Sequence, residues 1–227
     1  MPKAILFDLD GTLWDRTAAV QALLIQQHEQ FQESLSHVIQ PREYAGEIMA
    51  LEANGSADKL SVYAAFVGQH GLSESLIDSL HSDFWKRLGL CFQPFPEVLF
   101  TLRRLRDARV KLGIITNGTV HIQDAKIDAL GLRELMDVIV ISEREGVRKP
   151  DAEIFNRALG SLGVSAIDAW FVGDNPDADV AGAHLAGLKA FWRQCPDWSP
   201  PSVPCETIRT LDELLPFVSQ AHRVLGL

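Results

Sequence analysis

Ile5-Leu6-Phe7-Asp8-Leu9-Asp10-Gly11-Thr12 runs from an uninterrupted apolar segment straight into two acids and a glycine. The segment Ala4–Phe7 has the length and composition of a strand buried on both faces, as in a parallel sheet. Residues two apart on a strand share a face, so Asp8 and Asp10 point at one small volume if the extended geometry persists. Two carboxylates that close repel unless a cation or a shared proton intervenes. A hard divalent ion with oxygen ligands meets that need, and magnesium suits a site that also takes a phosphate. The competing reading is a strand that leaves the core through a solvated, Asp-rich turn.

Three further stretches repeat the pattern. Lys111–Thr116 is an apolar run ending at Thr116-Asn117-Gly118, and residues 138–142 are followed by Lys149-Pro150-Asp151. Residues 169–172 run into Gly173-Asp174-Asn175-Pro176-Asp177-Ala178-Asp179. Helical segments separate these strands, which predicts an α/β fold: a doubly wound, Rossmann-like parallel sheet with right-handed crossovers. In such sheets ligands bind beyond the carboxyl ends of the strands. Asp8, Asp10, Thr116 and Asp174 lie at such ends and Lys149 follows a third, so four motifs converge on one edge. Singly, each has an ordinary explanation: Thr116 as a strand-end cap, Lys149 as a surface lysine, Asp174 as a turn acid.

Taken in order, Asp8-x-Asp10-Gly11-Thr12, Thr116, Lys149 and Gly173-Asp174-x-x-x-x-Asp179 resemble the motifs of the haloacid dehalogenase (HAD) superfamily. The resemblance is to its phosphatase branch with a helical cap inserted after the first motif. It implies magnesium-dependent hydrolysis of small phosphate monoesters through an aspartyl phosphate. Asp8 is then the nucleophile and Asp10 the general acid and base. Thr116 and the Asn117 amide hold phosphate oxygens, and Lys149 neutralises charge as a catalytic and substrate-binding residue. Asp8, Asp174 and the backbone carbonyl of Asp10 are the implied metal ligands, with Asp179 orienting Lys149 or metal-bound water. Three alternatives share the fold: a phosphomutase, a haloacid dehalogenase, and a catalytically silent HAD-like binding module. Dehalogenases of the superfamily lack the second aspartate, so Asp10 argues for oxygen leaving groups. The intact set of Asp8, Asp10, Thr116, Lys149 and Asp174 weighs against a silent module.

Composition bounds the rest. The chain has 227 residues, 47% of them hydrophobic, enough for one large domain or two small ones with a real core. A formal charge of −9 argues against general affinity for nucleic acid or anionic membrane. It leaves a phosphorylated substrate open, because a metal and a lysine reverse the local field. No apolar run reaches the roughly 18 residues of a membrane span, and Met1-Pro2-Lys3-Ala4 leads into a strand too short for a signal sequence. Cys91, Cys195 and Cys205 are an odd number without metal-ligand spacing, which fits a reduced, cytoplasmic setting. The expected partner is a small phosphorylated metabolite of the nucleotide, flavin mononucleotide, sugar phosphate or phosphoglycolate class. No nucleic acid or membrane partner is expected, and the chain is expected to be a monomer or homodimer.

After Thr12 helical periodicity takes over. Val20, Leu23, Leu24, Phe31, Leu35 and Val38 define a helix that Pro41 closes, and a weaker one runs to about Ala53. The turn Asn54-Gly55-Ser56 leads to two more, ended by Gly71 and Gly89. An all-helical cap domain is thus expected at residues 15–90, with the α/β core at residues 1–14 and 91–227. By the resemblance, such a cap closes over the active site. Residues 14–16 and 54–59 are then where the leaving group is read, with Arg16 as a hinge salt bridge or anion contact and Lys59 as a candidate substrate contact. Arg103, Arg104, Arg106 and Arg109, on a helix expected over residues 95–109, read as a solvated face. Pro176 is expected to open a helix that Gly187 closes. Thr210 and Glu213 form a capping-box pattern for a last helix, with Pro216 placed to interrupt it.

Overall fold

The structure, a computed structural model, describes residues 1–55 and 57–224; Ser56 of the expected specificity turn lies outside them. Six strands, β1 (Ala4–Phe7), β2 (Lys111–Thr116), β3 (Val138–Ile141), β4 (Ala169–Gly173), β5 (Lys189–Arg193) and β6 (Glu206–Ile208), form one sheet in the order β3-β2-β1-β4-β5-β6. Every neighbouring pair is parallel. The chain steps outward from β1 to β3, then returns to add β4 on the other side of β1. Beside β1, therefore, the loops diverge and leave a crevice at the carboxyl ends of the strands. All four residues of β1 are fully buried, which is why this strand is apolar throughout rather than alternating.

The chain divides into two compact units, Met1–Asp15 with Gln93–Leu227, and Arg16–Phe92. The second is all helical: α1 (Arg16–Gln30), α2 (Gln32–Leu35), α3 (Pro41–Glu52), α4 (Lys59–Gln69) and α5 (Ser75–Leu88). The expectation of one helix closed by Pro41 is corrected here. The first helix stops at Gln30, a separate turn follows, and Val38 is 40% exposed. Pro41 opens α3, where its missing N–H is one the first turn does not need, and a Gln40–Glu43 capping box completes the start.

This unit is pinned by buried polar groups with full sets of partners. Gln27 Oε1 accepts from the hydroxyls of Tyr44 (2.6 Å) and Tyr63 (2.8 Å), while its Nε2 donates to Leu80 O (2.8 Å) and Asp83 Oδ2 (3.0 Å). Burial pushes both phenols above the ordinary tyrosine range, so they remain neutral donors. Glu52, also buried, pairs with Arg16 Nη1 at 2.8 Å and with Lys59. Lys59 itself is buried, with its ammonium 4.8 Å from the centre of the Phe84 ring.

In the α/β unit, α6 (Val98–Asp107), α7 (Val120–Ala129), α8 (Ser142–Glu145), α9 (Ala152–Leu162), α10 (Gly182–Leu185) and α11 (Leu214–Val224) accompany the sheet. The α9 helix shows how sequence dictates such an element. The Asp151 side chain accepts from Glu153 N at 2.9 Å to cap its start, and Gly163 ends it in the left-handed conformation. Ile154, Phe155, Ala158, Leu159 and Leu162 form one buried stripe, and Phe155 meets Phe171 of β4 edge-on at 5.0 Å. The helix expected from residue 95 begins at Val98. Pro216 does not interrupt the last helix, because it sits in the first turn of α11, where proline is tolerated. Among the described residues no helix is long and apolar enough to cross a membrane.

Gly113 of β2 has no room for a side chain, since a Cβ there would lie 2.5 Å from Val138 Cγ1 and 2.6 Å from Leu6 Cδ2. Gly113→Ala is therefore expected to destabilise the protein by about 1–3 kcal/mol through overpacking between β1 and β3. Urea unfolding measures this, and a midpoint equal to that of the parent contradicts the packing argument.

Candidate active site

The ends of β1 and β4 bring the first functional group together. Asp8 N donates to Val172 O at 2.9 Å, so the ladder between β1 and β4 continues one residue past the strand and fixes the Asp8 backbone. Asp174 follows the last residue of β4. Oxygen atoms of Asp8, Asp174 and Asp179 all lie within 4.8 Å of one another, and all three residues are buried. Asp179 reaches them through a widened turn: residues Pro176–Ala181 form a π-helical segment, with Val180 N donating to Asn175 O at 3.2 Å. The Asn175 side chain caps this turn, accepting from Asp177 N (3.0 Å) and Ala178 N (2.8 Å). The helix expected from Pro176 to Gly187 is thus a π turn followed by short α10.

Two glycines make this gathering possible. Gly11 has φ +80°, and a Cβ on it would lie 2.6 Å from Asp174 Oδ2. A Cβ on Gly173 would lie 2.4 Å from that of Asp179. Side chains at these positions would occupy the space of the carboxylates themselves.

Lys149 enters the group from the loop after α8. Its Nζ lies 2.5 Å from Asp8 Oδ1 and 2.6 Å from Asp179 Oδ1, with only 3% of the residue exposed. The Asn117 side chain anchors this lysine: Asn117 Nδ2 donates to Lys149 O (3.0 Å) and Lys149 N donates to Asn117 Oδ1 (2.9 Å). Burial alone lowers a lysine pKa, but the Asp179 and Asp8 carboxylates outweigh it, so the ammonium is held charged. Asp8 moves the other way from an ordinary salt-bridged acid. Its burial raises the pKa well above the usual value, Lys149 opposes the shift, and the neighbouring Asp179, Asp174 and Asp10 add to it. The Asp174 carboxyl is pushed up to about 7 by burial and by Asp179, against hydrogen bonding from Trp198.

The second group surrounds Asp10, whose side chain lies outside the three-carboxylate cluster. Trp14 Nε1 (3.0 Å) and Lys126 Nζ (2.6 Å) donate to Asp10 Oδ1, and Gln123 Nε2 donates to Oδ2 at 2.9 Å. Gln123 Nε2 also donates to Thr116 Oγ1 at 2.5 Å. The structure therefore sorts the candidates into Asp8, Lys149, Asp174 and Asp179 on one side, and Asp10 with Thr116 on the other. Arg16 and Lys59 both converge on Glu52 within the helical unit.

Sequence reasoning did not single out Gln123, Lys126 or Trp198. The first two had a detectable signal: polar residues three apart on the helix that directly follows Thr116-Asn117-Gly118 share one face, and both are buried. Trp198 had none. It lies in the proline-rich loop after β5 and donates its indole N–H to Asp174 Oδ2 at 3.0 Å. Trp192 of β5 supports the same residue, donating to Asp174 O at 2.7 Å.

The donor set suits a hard divalent cation. All three carboxylates offer oxygen, the ligand type magnesium takes, and a cation among them would offset the repulsion that raises Asp8 and Asp174.

Known proteins resemble this chain in sequence and in fold. The family model for haloacid dehalogenase-like hydrolases matches residues 2–187. A glyceraldehyde 3-phosphate phosphatase of Methanopyrus kandleri is 30% identical over 209 residues, 83% of this chain and 82% of the relative. A ribulose-1,5-bisphosphate 5-phosphatase of Halopiger xanaduensis is 31% identical over 204 residues, 83% of each. Among solved structures, the HAD-hydrolase YfnB of Bacillus subtilis, bound to magnesium, superposes with a TM-score of 0.75 at 26% identity, covering 96% of this chain and 98% of that one.

The displaced carboxyls make metal-free stability depend on pH. Folded Asp174 keeps its proton up to about pH 7, whereas the unfolded chain releases it near the ordinary 3.8. The folded state thus binds more protons across that window, and stability falls as pH rises through it, by up to a few kcal/mol. Asp8 acts in the same direction. In chelator, urea unfolding should show the protein more stable near about pH 5 than near about pH 8, and Asp174→Asn should reduce that difference. A slope unchanged in the variant contradicts the assignment.

Proposed function

Because the chain belongs to the haloacid dehalogenase-like hydrolase family, we propose that it is a phosphatase cleaving small phosphate monoesters through an aspartyl phosphate on Asp8. The observation that carries this reading is the buried pairing of Lys149 with Asp8 at the crevice beside β1, with a second carboxylate, Asp10, held separately nearby. Asp8 is assigned the role of nucleophile, and Asp10, held by its own donors outside the three-carboxylate cluster, that of moving a proton.

In the first step an Asp8 carboxylate oxygen attacks phosphorus, the bond to the ester oxygen breaks, and Asp10 gives that oxygen its proton. In the second, water attacks the phosphoaspartate, Asp10 takes the water proton, and the bond from phosphorus to Asp8 breaks. Inorganic phosphate and the original carboxylate result. The Thr116 hydroxyl accepts from Gln123, which leaves its own hydrogen to donate to a phosphate oxygen alongside the Asn117 amide. Lys149 supplies positive charge on the opposite flank. Preorganised donors of this kind contribute about 3–4 kcal/mol each to transition-state stabilisation when removed singly.

Magnesium would fit this donor set, with Asp8, Asp174 and the Asp10 carbonyl as the residues that would hold it, and it would supply charge that offsets repulsion between nucleophile and phosphate. Asp179 keeps Lys149 in place, and Trp198 and Trp192 keep Asp174 in place. Asp10 also separates this reading from dehalogenation, because a halide departs without a proton and an alkoxide does not.

The named activities of the two phosphatase relatives, on glyceraldehyde 3-phosphate and ribulose bisphosphate, favour a phosphorylated sugar or similar metabolite. The helical unit Arg16–Phe92 is assigned the role of the cap that selects the leaving group, and the acidic, cysteine-poor chain is assigned to the cytoplasm.

Purified protein with magnesium should release phosphate from 4-nitrophenyl phosphate and from members of a phosphorylated-metabolite panel, and chelator should stop it. Asp8→Asn should abolish turnover. Asp10→Asn should keep the fold while slowing turnover by roughly a hundredfold or more. Full activity in Asp8→Asn would exclude the covalent route.

A further inference from the structure

Lys126 has no part in the chemistry above, yet it is one of the few buried lysines and it ends on the proposed general acid. We propose that Lys126 is a positioning residue, the main member of a clamp with Gln123 and Trp14 that orients the Asp10 carboxylate toward the leaving group. This rests on the phosphatase reading and adds a residue to it.

Asp10 follows β1 on a loop, two residues beyond the Asp8 amide that extends the β1–β4 ladder through Val172 O. Its side chain is held by three donors from two elements. Lys126 Nζ and Trp14 Nε1 share Oδ1 at 2.6 and 3.0 Å, and Gln123 Nε2 takes Oδ2 at 2.9 Å. With both oxygens engaged, the carboxylate plane is fixed. Lys126 and Gln123 are one helical turn apart on α7, so a single rigid element carries both contacts. Gln123 can come this close because Gly118 lacks a Cβ, which would lie 2.9 Å from its Cγ and Cδ. Lys126 Nζ also sits 5.5 Å from the centre of the Trp14 ring, which fixes the ammonium from a second side.

Burial argues that the charge serves the acid. Lys126 is 6% exposed, and desolvating an ammonium is costly when an apolar side chain would fill the same space more cheaply. Its partner is the one carboxylate here whose orientation decides proton transfer, and misplacing a reacting group by about 1 Å costs up to about a hundredfold in rate.

The consequence is selective. An alkoxide needs the Asp10 proton to leave, whereas 4-nitrophenolate is stable enough to depart without it. The ratio kcat/KM reports events only up to departure of the alcohol, so the later role of Asp10 with water does not enter. Lys126→Met should therefore lower kcat/KM for glyceraldehyde 3-phosphate, or for the best alkyl phosphate of the metabolite panel, by about tenfold or more beyond its effect on 4-nitrophenyl phosphate. Lys126→Gln, which keeps a polar head at the buried position, should show the same bias and carries the comparison if the methionine variant does not fold by circular dichroism. Equal losses on the two esters, or no loss on either, overturn the assignment and leave Lys126 a structural residue. A parent protein inactive on every ester overturns the phosphatase reading and this one with it, which separates the two failures.

Discussion

Three aspartates and one lysine share a buried volume at the carboxyl ends of β1 and β4, and the α/β unit is arranged to hold them there. Carboxylates this close and this dry oppose folding unless something positive lies between them. Lys149 is that something, bridging Asp8 and Asp179 with less than a tenth of any member exposed. The raised pKa values of Asp8 and Asp174 express how incomplete the compensation is: one ammonium cannot neutralise three acids. The residual negative charge is what a divalent cation, and then a phosphate held by that cation, would complete. Stability of the metal-free fold is thus set against the electrostatics a phosphate site needs.

Rigidity around this group is built in layers. Asp8 inherits its position from the central ladder through the hydrogen bond its backbone N–H donates to Val172 O, and Asp174 is braced by two indoles on different segments. The loop after β1 is tied down farther out by Arg193 of β5. Arg193 donates to Thr12 O at 3.1 Å, pairs with Glu97 at 3.0 Å, and stacks 3.7 Å above the Phe95 ring. A buried arginine with three kinds of partner is a firmer anchor than a surface pair, because desolvation makes each contact stronger. The proposed nucleophile Asp8 therefore rests on the sheet, while Asp10, the proposed proton-transfer group, is mounted on a braced loop.

The helical unit follows a different design. Its interior includes Gln27 with four hydrogen bonds and Glu52 with two cations. Fully satisfied polar groups of this kind specify one packing among the many an all-apolar interior would allow. Arg16 and Lys59 are committed to Glu52 here, so their positive charge is part of the unit's internal structure.

The alternation of short apolar runs with amphipathic segments was enough to read a parallel doubly wound sheet, because strands buried on both faces admit no polar residue and show it in sequence. The acids and the threonine placed at strand ends were legible for the same reason, since each interrupts such a run; Lys149, eight residues past β3, was legible only as part of the ordered motifs. The helical segment after β1 was legible in extent but not in detail. Periodicity alone could not distinguish one long helix from a helix, a turn and a proline-started successor, since the choice depends on which apolar residues find partners.

Tertiary structure alone decided the division of the site. Local sequence puts Asp8 and Asp10 on a common face, yet Gln123 and Lys126 of α7 hold the Asp10 carboxylate outside the three-carboxylate cluster. Asp179 joins the cluster instead, through a π turn that hydropathy does not reveal. Trp198 and Lys126 had to be seen in place, because their roles depend on contacts spanning 24 and 116 residues. The sequence by itself determined which strands exist and which reactive groups end them, since burial of whole strands is written in composition; which groups share a charge environment was decided only by distances across the folded chain.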